Sequence, residues 1–105
     1  MMQRHLPMGY KMVNGQIVIN EETVGIIIRI FEGYISGKSL KVIAAEMTAS
    51  GVLTPNKKPI WNHGTVGKIL NNVKYQGDAL YPKIINSEVF KKAQERRGSV
   101  ERTLG

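Results

Sequence analysis

The chain of 105 residues contains no cysteine. Disulfide bonds and thiolate metal sites are therefore excluded, and the composition suits a reducing cytoplasm. Long apolar runs are also missing, because the longest one, residues 24–31, is interrupted by Arg29 and is far too short to span a bilayer. No apolar segment of a signal peptide follows Met1 and Met2. We therefore expect a soluble, cytoplasmic protein that has no contact with a membrane.

Groupings of catalytic side chains are absent as well. The two histidines, His5 and His63, have no cysteines or suitably spaced carboxylates near them in the sequence, so no metal site is expected. The serines fall at predicted helix caps and turns without a neighbouring base, and no pair of acidic residues resembles a general acid and base. We therefore expect no cofactor and no enzymatic activity from this chain by itself.

Acidic residues are few relative to basic ones. The sequence has 8 Asp and Glu against 15 Lys and Arg, which gives a formal net charge of +7. For any single basic doublet, solvated surface charge is a sufficient explanation. The excess over the whole chain favours a polyanionic partner, because a positive field attracts phosphates and releases their counterions. The doublets are Lys57–Lys58, Lys91–Lys92 and Arg96–Arg97.

A β-hairpin is predicted near the N-terminus. The Asn-Gly pair at 14–15 lies between two short apolar runs, and both residues tolerate the positive φ of a type I′ turn. A two-residue loop pairs Tyr10 with Ile19 and Met12 with Ile17. These side chains then share one face of the hairpin.

Apolar periodicity and capping residues predict four helices. They cover residues 21–35, the stretch from Ser39 to Gly51, one helix after Asn62 within residues 61–77, and a last helix from Asn86 or Ser87 to about Arg97. Asn20 is expected to cap the first, with Glu21 and Glu22 in its first turn, where the helix dipole favours acidic groups. Residues 78–85 predict a short additional strand or extended segment, for which Pro82 favours an edge position.

The predicted fold is α+β and mostly helical, with four helices, an N-terminal β-hairpin and the short additional strand. The second helix, a connector at residues 52–60 and the third helix resemble a helix-turn-helix with a stretched turn. We expect residues 1–9 to form a flexible basic arm, residues 10–97 to form one domain and residues 98–105 to form a frayed tail.

The third predicted helix has an apolar inner face and an outer face without catalytic groups. The inner face is predicted to hold Val66, Ile69, Leu70 and Val73. The outer face and its flanks hold Gly64, Thr65, Gly67, Lys68, Asn71 and Asn72. Asparagine can pair with adenine, lysine with guanine or a phosphate, and threonine with a thymine methyl group or a phosphate. The outer face is therefore suited to contact DNA.

The glycines and the tryptophan of this region each have two explanations. Glycine costs roughly 1 kcal/mol relative to alanine inside a helix. Gly64 and Gly67 therefore allow either close approach of the backbone to a groove wall or tight packing against another helix. Trp61 directly precedes the capping Asn62 and can form a hydrophobic staple with Val66. This role favours a core anchor over a platform for base stacking.

The sequence resembles the recombinase domain of large serine recombinases over roughly residues 4–97. The most specific segments are the I-F-x-x-Y-x-x-G-x-S-L-x-x-I-A run from Ile30 to Ala44 and the W…V-x-x-I-L-x-N-x-x-Y-x-G run from Trp61 to Gly77. Large serine recombinases are the site-specific integrases and transposases of phages and mobile elements. The order and spacing of these segments match that family.

The resemblance implies a DNA-binding module that reads part of an attachment half-site. In the family this module lies between an N-terminal catalytic, resolvase-like domain and a C-terminal zinc-ribbon domain. This sequence has neither the catalytic serine domain nor the zinc-ribbon cysteines, so it looks like a fragment that cannot cleave DNA by itself. The expected partners are double-stranded DNA and, in a full-length parent, those two domains.

The expected DNA contacts form two groups. Phosphate contacts are expected from Arg4, Lys11, Lys57, Lys58 and Lys74. Groove contacts are expected from Asn62, His63, Thr65, Lys68, Asn71 and Asn72, with Lys68 the strongest candidate. Two other functions stay open. In the first, the chain is a stand-alone DNA-binding regulator or directionality factor. In the second, it is a protein-interaction module whose third helix contacts another protein.

Overall fold

The computed structural model describes residues 6–104, with side chains described for residues 6–98. Two strands precede the helices: β1 (Tyr10–Val13) and β2 (Gln16–Ile19). The helices are α1 (Val24–Ile35), α2 (Leu40–Ala49), α3 (His63–Leu70), a 3₁₀ helix (Val73–Gln76) and α4 (Ser87–Leu104). The fold is α+β and mostly helical, as predicted. None of the helices described is both long and apolar enough to cross a membrane.

The predicted hairpin and its register are confirmed. β1 pairs with β2 in antiparallel fashion, with Tyr10 opposite Ile19 and Met12 opposite Ile17. The turn residues at 14–15 have φ of 50° and 77°, as a type I′ turn requires. The Tyr10 hydroxyl lies 2.9 Å from the carbonyl oxygen of Lys74, to which it can donate a hydrogen bond. The hairpin is thereby attached to the segment that follows α3.

Helix α1 forms the centre of the core. Ile27, Ile30 and Phe31 are 0% exposed, and α1 packs against α2, α3 and α4. Only the start of α1 differs from the prediction, since the helix begins at Val24 and its first turn contains no acidic residue.

A turn at residues 21–23 explains this later start. The side-chain oxygen of Asn20 accepts from the Glu22 N–H at 3.0 Å, so Asn20 closes a turn before the helix. The Thr23 hydroxyl oxygen accepts from the Gly9 N–H at 3.1 Å, which holds the turn against the N-terminal segment. Glu21 and Glu22 therefore lie outside the first turn of α1.

The end of α3 also differs from the prediction of one helix within residues 61–77. The helix stops at Leu70, and the Asn72 side chain accepts from the Lys74 N–H at 3.0 Å to begin the 3₁₀ helix. This break turns Tyr75 into the core, where it is 1% exposed, and leaves Val73 64% exposed. The prediction that Val73 belongs to the inner face is therefore wrong.

The additional strand predicted over residues 78–85 is a series of turns, and β1 and β2 are the only strands within residues 6–104. The Asp78 carboxylate accepts from the Leu80 and Tyr81 N–H groups, each at 2.8 Å. The same backbone hydrogen bonds lower the pKa of Asp78. The Asp78 turn buries Tyr81, and Pro82 supplies no N–H for a strand ladder.

Helix α4 packs on the core, and its side chains hydrogen-bond to the ends of α1 and α3. Its cap is Asn86, whose side chain accepts from the Val89 N–H at 2.9 Å. The Gln94 side chain donates to the Leu70 carbonyl at the end of α3, where a helix leaves carbonyls without partners. The helix continues past its predicted end near Arg97 to Leu104, and Gly98 within it does not adopt the positive φ with which glycine often ends helices.

Candidate nucleic-acid interface

The start of α3 is fixed by its cap and by a buried anchor. The Asn62 side-chain oxygen accepts from the Thr65 N–H at 2.9 Å, which leaves the Asn62 NH₂ group as a donor for other partners. Trp61 is 4% exposed, and its ring N–H donates to the Val52 carbonyl at 2.8 Å. The Trp61 backbone N–H donates to the Thr48 hydroxyl on α2 at 2.9 Å. Trp61 is therefore a core anchor, and its ring is buried within the domain.

The rear face of α3, formed by Val66, Ile69 and Leu70, is buried against the core. Its exposed face is formed by Gly64, Lys68 and Asn71, which are all open to solvent. This face therefore presents one lysine, one amide and the open backbone of a glycine. This exposed face agrees with the outer face predicted from the sequence.

The two glycines of α3 have different surroundings. Gly64 is exposed, and a Cβ built on it comes within 4 Å only of the side-chain oxygen of Asn62. Gly67 is buried, and a Cβ built on it lies 3.3 Å from Nη1 of Arg97. Tight packing against another helix thus explains Gly67, whereas Gly64 leaves the backbone of the exposed face open.

A surface groove runs along the side of α3 that carries Thr65. We call it the α3 groove. Four of the predicted contact residues line it: Thr65, Lys68, Asn72 and Lys74. Its other wall comes from residues 6–8, here called the entry segment, and from residues 54–56 of the connector. The structure therefore brings these four residues together between the chain's N-terminal segment and the connector.

The entry segment is packed on the domain. Leu6 and Met8 are half-buried against the core, and the Tyr75 hydroxyl donates to the Met8 carbonyl at 2.6 Å. The next residue, Gly9, has a φ of 99°, which residues with side chains rarely adopt, and a Cβ there would lie 3.1 Å from a side-chain carbon of Ile27. These contacts fix the position of residues that the sequence places at the end of a flexible arm.

The connector turn, residues 54–58, borders the groove and carries two exposed lysines. Thr54 is 5% exposed, and its hydroxyl oxygen accepts from the Lys58 N–H at 3.0 Å. The Thr54 N–H donates to the Lys58 carbonyl, and the Lys57 N–H donates to the Thr54 carbonyl, both at 2.8 Å. Lys57 has a φ of 65°, a conformation that a residue with a side chain rarely adopts. No pattern in the sequence indicates this strained position.

The remaining predicted contacts are spread more widely. Asn62 and His63 are exposed at the start of α3, and Asn71 is exposed at its end. Lys11 is exposed on β1 and does not line the α3 groove. Arg4 lies outside the described residues.

The electrostatics near the groove depend on Lys74 and on the buried side chains of Tyr10 and Tyr75. The Lys74 ammonium lies 5.0 Å from the ring centre of Tyr81, a cation–π distance that fixes its position. Burial, and to a smaller extent the Asp78 charge, raises the pKa of Tyr10 to about 12. Burial also raises the pKa of Tyr75. These hydroxyls therefore stay protonated near neutral pH. Among residues with described side chains, the only salt bridge joins Lys38 to Glu46 at 3.0 Å.

Comparisons with known proteins identify the class. Residues 21–99 match the model of the protein family described as Recombinase. Because the match covers more than half of the chain, the chain belongs to the Recombinase family. This confirms the resemblance derived from the sequence motifs.

The fold also matches a solved structure. A crystal structure described as an LSR–DNA complex, where LSR denotes a large serine recombinase, aligns with a TM-score of 0.74 at 18% sequence identity. The alignment covers 93% of this chain and 33% of that chain, so the present chain spans about a third of the solved one. Among curated proteins, none matches this sequence significantly.

Proposed function

We propose that this domain binds double-stranded DNA sequence-specifically at a recombination attachment half-site. The observation that carries the proposal is the α3 groove, in which Lys68 and Lys74 lie beside the polar side chains of Thr65 and Asn72. Membership of the Recombinase family supports it, and so does the similar fold of a protein solved in complex with DNA. The net charge of +7 suits a polyanionic partner.

The exposed face of α3 is the part that enters the major groove in this proposal. A helix with side chains is about 10–12 Å wide, and the major groove is about 12 Å wide. The rear face of α3 lies against α2 in a helix-turn-helix-like arrangement, in which the second helix reads base edges. Lys68 is the best placed to reach a base, because it belongs to both the exposed face and the groove.

The remaining predicted residues position the domain on the duplex. Lys57 and Lys58 are exposed on the connector turn, whose residues 54–56 line the groove, and Lys74 lies on its wall. These lysines contact phosphates, which orient a protein without reading sequence. Lys11 and Arg4 keep their proposed phosphate roles on the N-terminal side of the domain.

In this proposal the domain is the non-catalytic, DNA-reading module of a site-specific serine recombinase. Resolvase-like and zinc-ribbon domains of a full-length parent supply strand cleavage and further DNA contacts. Within residues 6–98, no three His, Asp or Glu side chains lie close enough together to hold a metal ion. The module sets where a recombinase acts.

Selection from randomised duplexes, followed by fluorescence anisotropy titration, tests the proposal. We expect one sequence to be enriched and to bind at least 10³-fold more tightly than random DNA, as specific DNA-binding proteins do. Binding should weaken steeply as salt rises, because bound lysines displace counterions. Failure to enrich any duplex, with affinity no better than for heparin, would instead support a protein-interaction module.

A further inference from the structure

The basic doublet at residues 96–97 divides into two roles. Arg96 donates to the backbone carbonyls of Tyr34, Gly37 and Lys38, and its guanidinium lies 4.2 Å from the ring centre of Tyr34. It is therefore used inside the domain, at the end of α1. The guanidinium of Arg97 lies instead on α3, against the backbone of Gly67.

The position of Gly67 on α3 locates this guanidinium relative to the exposed face. At 100° per residue, Gly67 lies about 40° from Asn71 and about 60° from Gly64 around the helix axis. Thr65, which lines the α3 groove, lies about 160° away from Gly67 on the opposite flank. Arg97 therefore borders the exposed face on the side that faces away from the groove.

We propose that Arg97 is a phosphate-contacting residue on this second flank, and that Gly67 is small in order to admit its guanidinium. The inference rests on the proposed function. A helix in the major groove lies between two sugar–phosphate backbones. Lys74 of the α3 groove and the lysines of the connector turn serve one backbone, and Arg97 from α4 serves the other.

Side-chain chemistry agrees with this role. Guanidinium groups offer five N–H donors in a planar fork that matches phosphate oxygens, and packing against Gly67 limits the orientations of that fork. A methyl group at position 67 would lie 3.3 Å from Nη1 and 3.5 Å from Nη2 of Arg97. Because those atoms end a flexible side chain, Gly67→Ala displaces the guanidinium and leaves the helix in place.

The first test removes the charge. Arg97→Gln is compared with wild type on the duplex selected for wild type, by anisotropy over a range of salt concentrations. We expect affinity to fall about tenfold, the effect of one charge-assisted hydrogen bond. The slope of log K against log salt should decrease by about 0.9, as for one lost phosphate contact. Arg97→Lys should recover the slope and part of the affinity.

Lys92→Gln is the matched control, because it removes the same charge from α4. Lys92 is exposed and lies about 140° around that helix from Arg97. Its affinity should stay within about twofold of wild type, since Lys92 is exposed on a different side of α4 and salt screens exposed charges that make no direct contact. Equal losses from both variants would reduce Arg97 to a contributor to general charge and overturn the inference.

The second test is a double-mutant cycle with Gly67→Ala. This variant should bind DNA more weakly than wild type, with an equal or higher Tm because alanine favours the helix. In the Arg97→Gln background it should have no further effect on binding, because the group it displaces is already gone. An equal loss in both backgrounds would mean that Gly67 itself faces DNA, and would overturn the role assigned to the glycine.

The failures of the two proposals are distinguishable. If wild type binds its selected duplex but Arg97→Gln binds equally well with the same salt slope, the Arg97 contact is wrong and the proposed function stands. If Arg97→Gln lowers Tm together with affinity, and Arg97→Lys restores neither, Arg97 is a packing residue. If wild type binds no duplex better than heparin, the proposed function itself fails.

Discussion

The two faces of α3 differ in their surroundings, since one packs against the domain and the other is exposed to solvent. On the rear face, Val66 and Leu70 are 0% exposed, and α4 contributes Gln94 as a partner for the last carbonyl of the helix. On the exposed face, Lys68 and Asn71 extend into solvent and Gly64 leaves the backbone open. Rear positions should therefore change stability, and exposed positions should change binding while the fold persists.

Trp61→Ala should have the largest effect, on the rear side. It removes a buried ring together with its hydrogen bond to the Val52 carbonyl, and we expect the free energy of unfolding to fall by about 3–5 kcal/mol. Urea denaturation followed by circular dichroism measures the loss. Trp61→Phe is the comparison variant, since it keeps an aromatic ring in the core but removes the N–H donor and part of the ring volume. A change below about 1 kcal/mol for Trp61→Ala would contradict the difference between the two faces, because it would show that the buried Trp61 contributes little to stability.

Arg96→Ala should follow, with a loss of about 1.5–3 kcal/mol in the free energy of unfolding. The substitution leaves carbonyls at the end of α1 without their charged donor and removes the contact with the Tyr34 ring. Lys91→Ala, an exposed position on the same helix, serves as the control and should remain within about 0.5 kcal/mol of wild type. Equal stability of the two variants would contradict the role of Arg96.

Lys68→Ala should affect the exposed face alone. We expect a loss of about 1–3 kcal/mol in binding to the selected duplex and a weaker preference at one base position. The Tm should stay close to that of wild type, because the side chain is exposed. Anisotropy with the selected and random duplexes separates the possibilities, since equal losses on both would reassign Lys68 to a phosphate.

Lys57→Gly should have the smallest effect and is expected to act in opposite directions on stability and binding. Glycine relieves the positive φ of the connector turn, which should raise the free energy of unfolding by up to about 1 kcal/mol. Loss of the ammonium should weaken DNA binding and lower the salt slope by about 0.9. Lys58→Gly lacks the strained backbone and should give no gain in stability. A gain from both variants would refute the role of strain.

Local signals made part of the fold predictable. The Asn-Gly pair at 14–15 and the capping Asn62 act on their immediate neighbours, and both were identified from the sequence. The break after Leu70 was missed because the apolar spacing continues through Val73. Tertiary contacts decide that break: the Tyr75 hydroxyl donates to Met8, and the Tyr75 carbonyl accepts from Ile84 and Ile85.

The same distinction applies to the candidate site. The exposed face of α3 follows from helical periodicity, so Lys68 and Asn71 could be selected from the sequence alone. The contact of Arg97 with Gly67 joins residues far apart in the sequence, and neither residue carries a local signal for it. The positive φ of Lys57 was equally hidden, because it results from hydrogen bonds that Thr54 makes with its neighbours.

The entry segment has a thermodynamic consequence. Residues 6–8 form part of the wall of the α3 groove, so a duplex seated there touches the chain at the point where it enters the domain. Linkage is reciprocal: if a ligand in the groove restricts the direction of that chain, restricting the direction of the chain must tighten the ligand by the same factor. If DNA occupies the α3 groove as proposed, the hydrogen bond between Tyr75 and Met8 couples its affinity to the direction of the chain at residues 6–8.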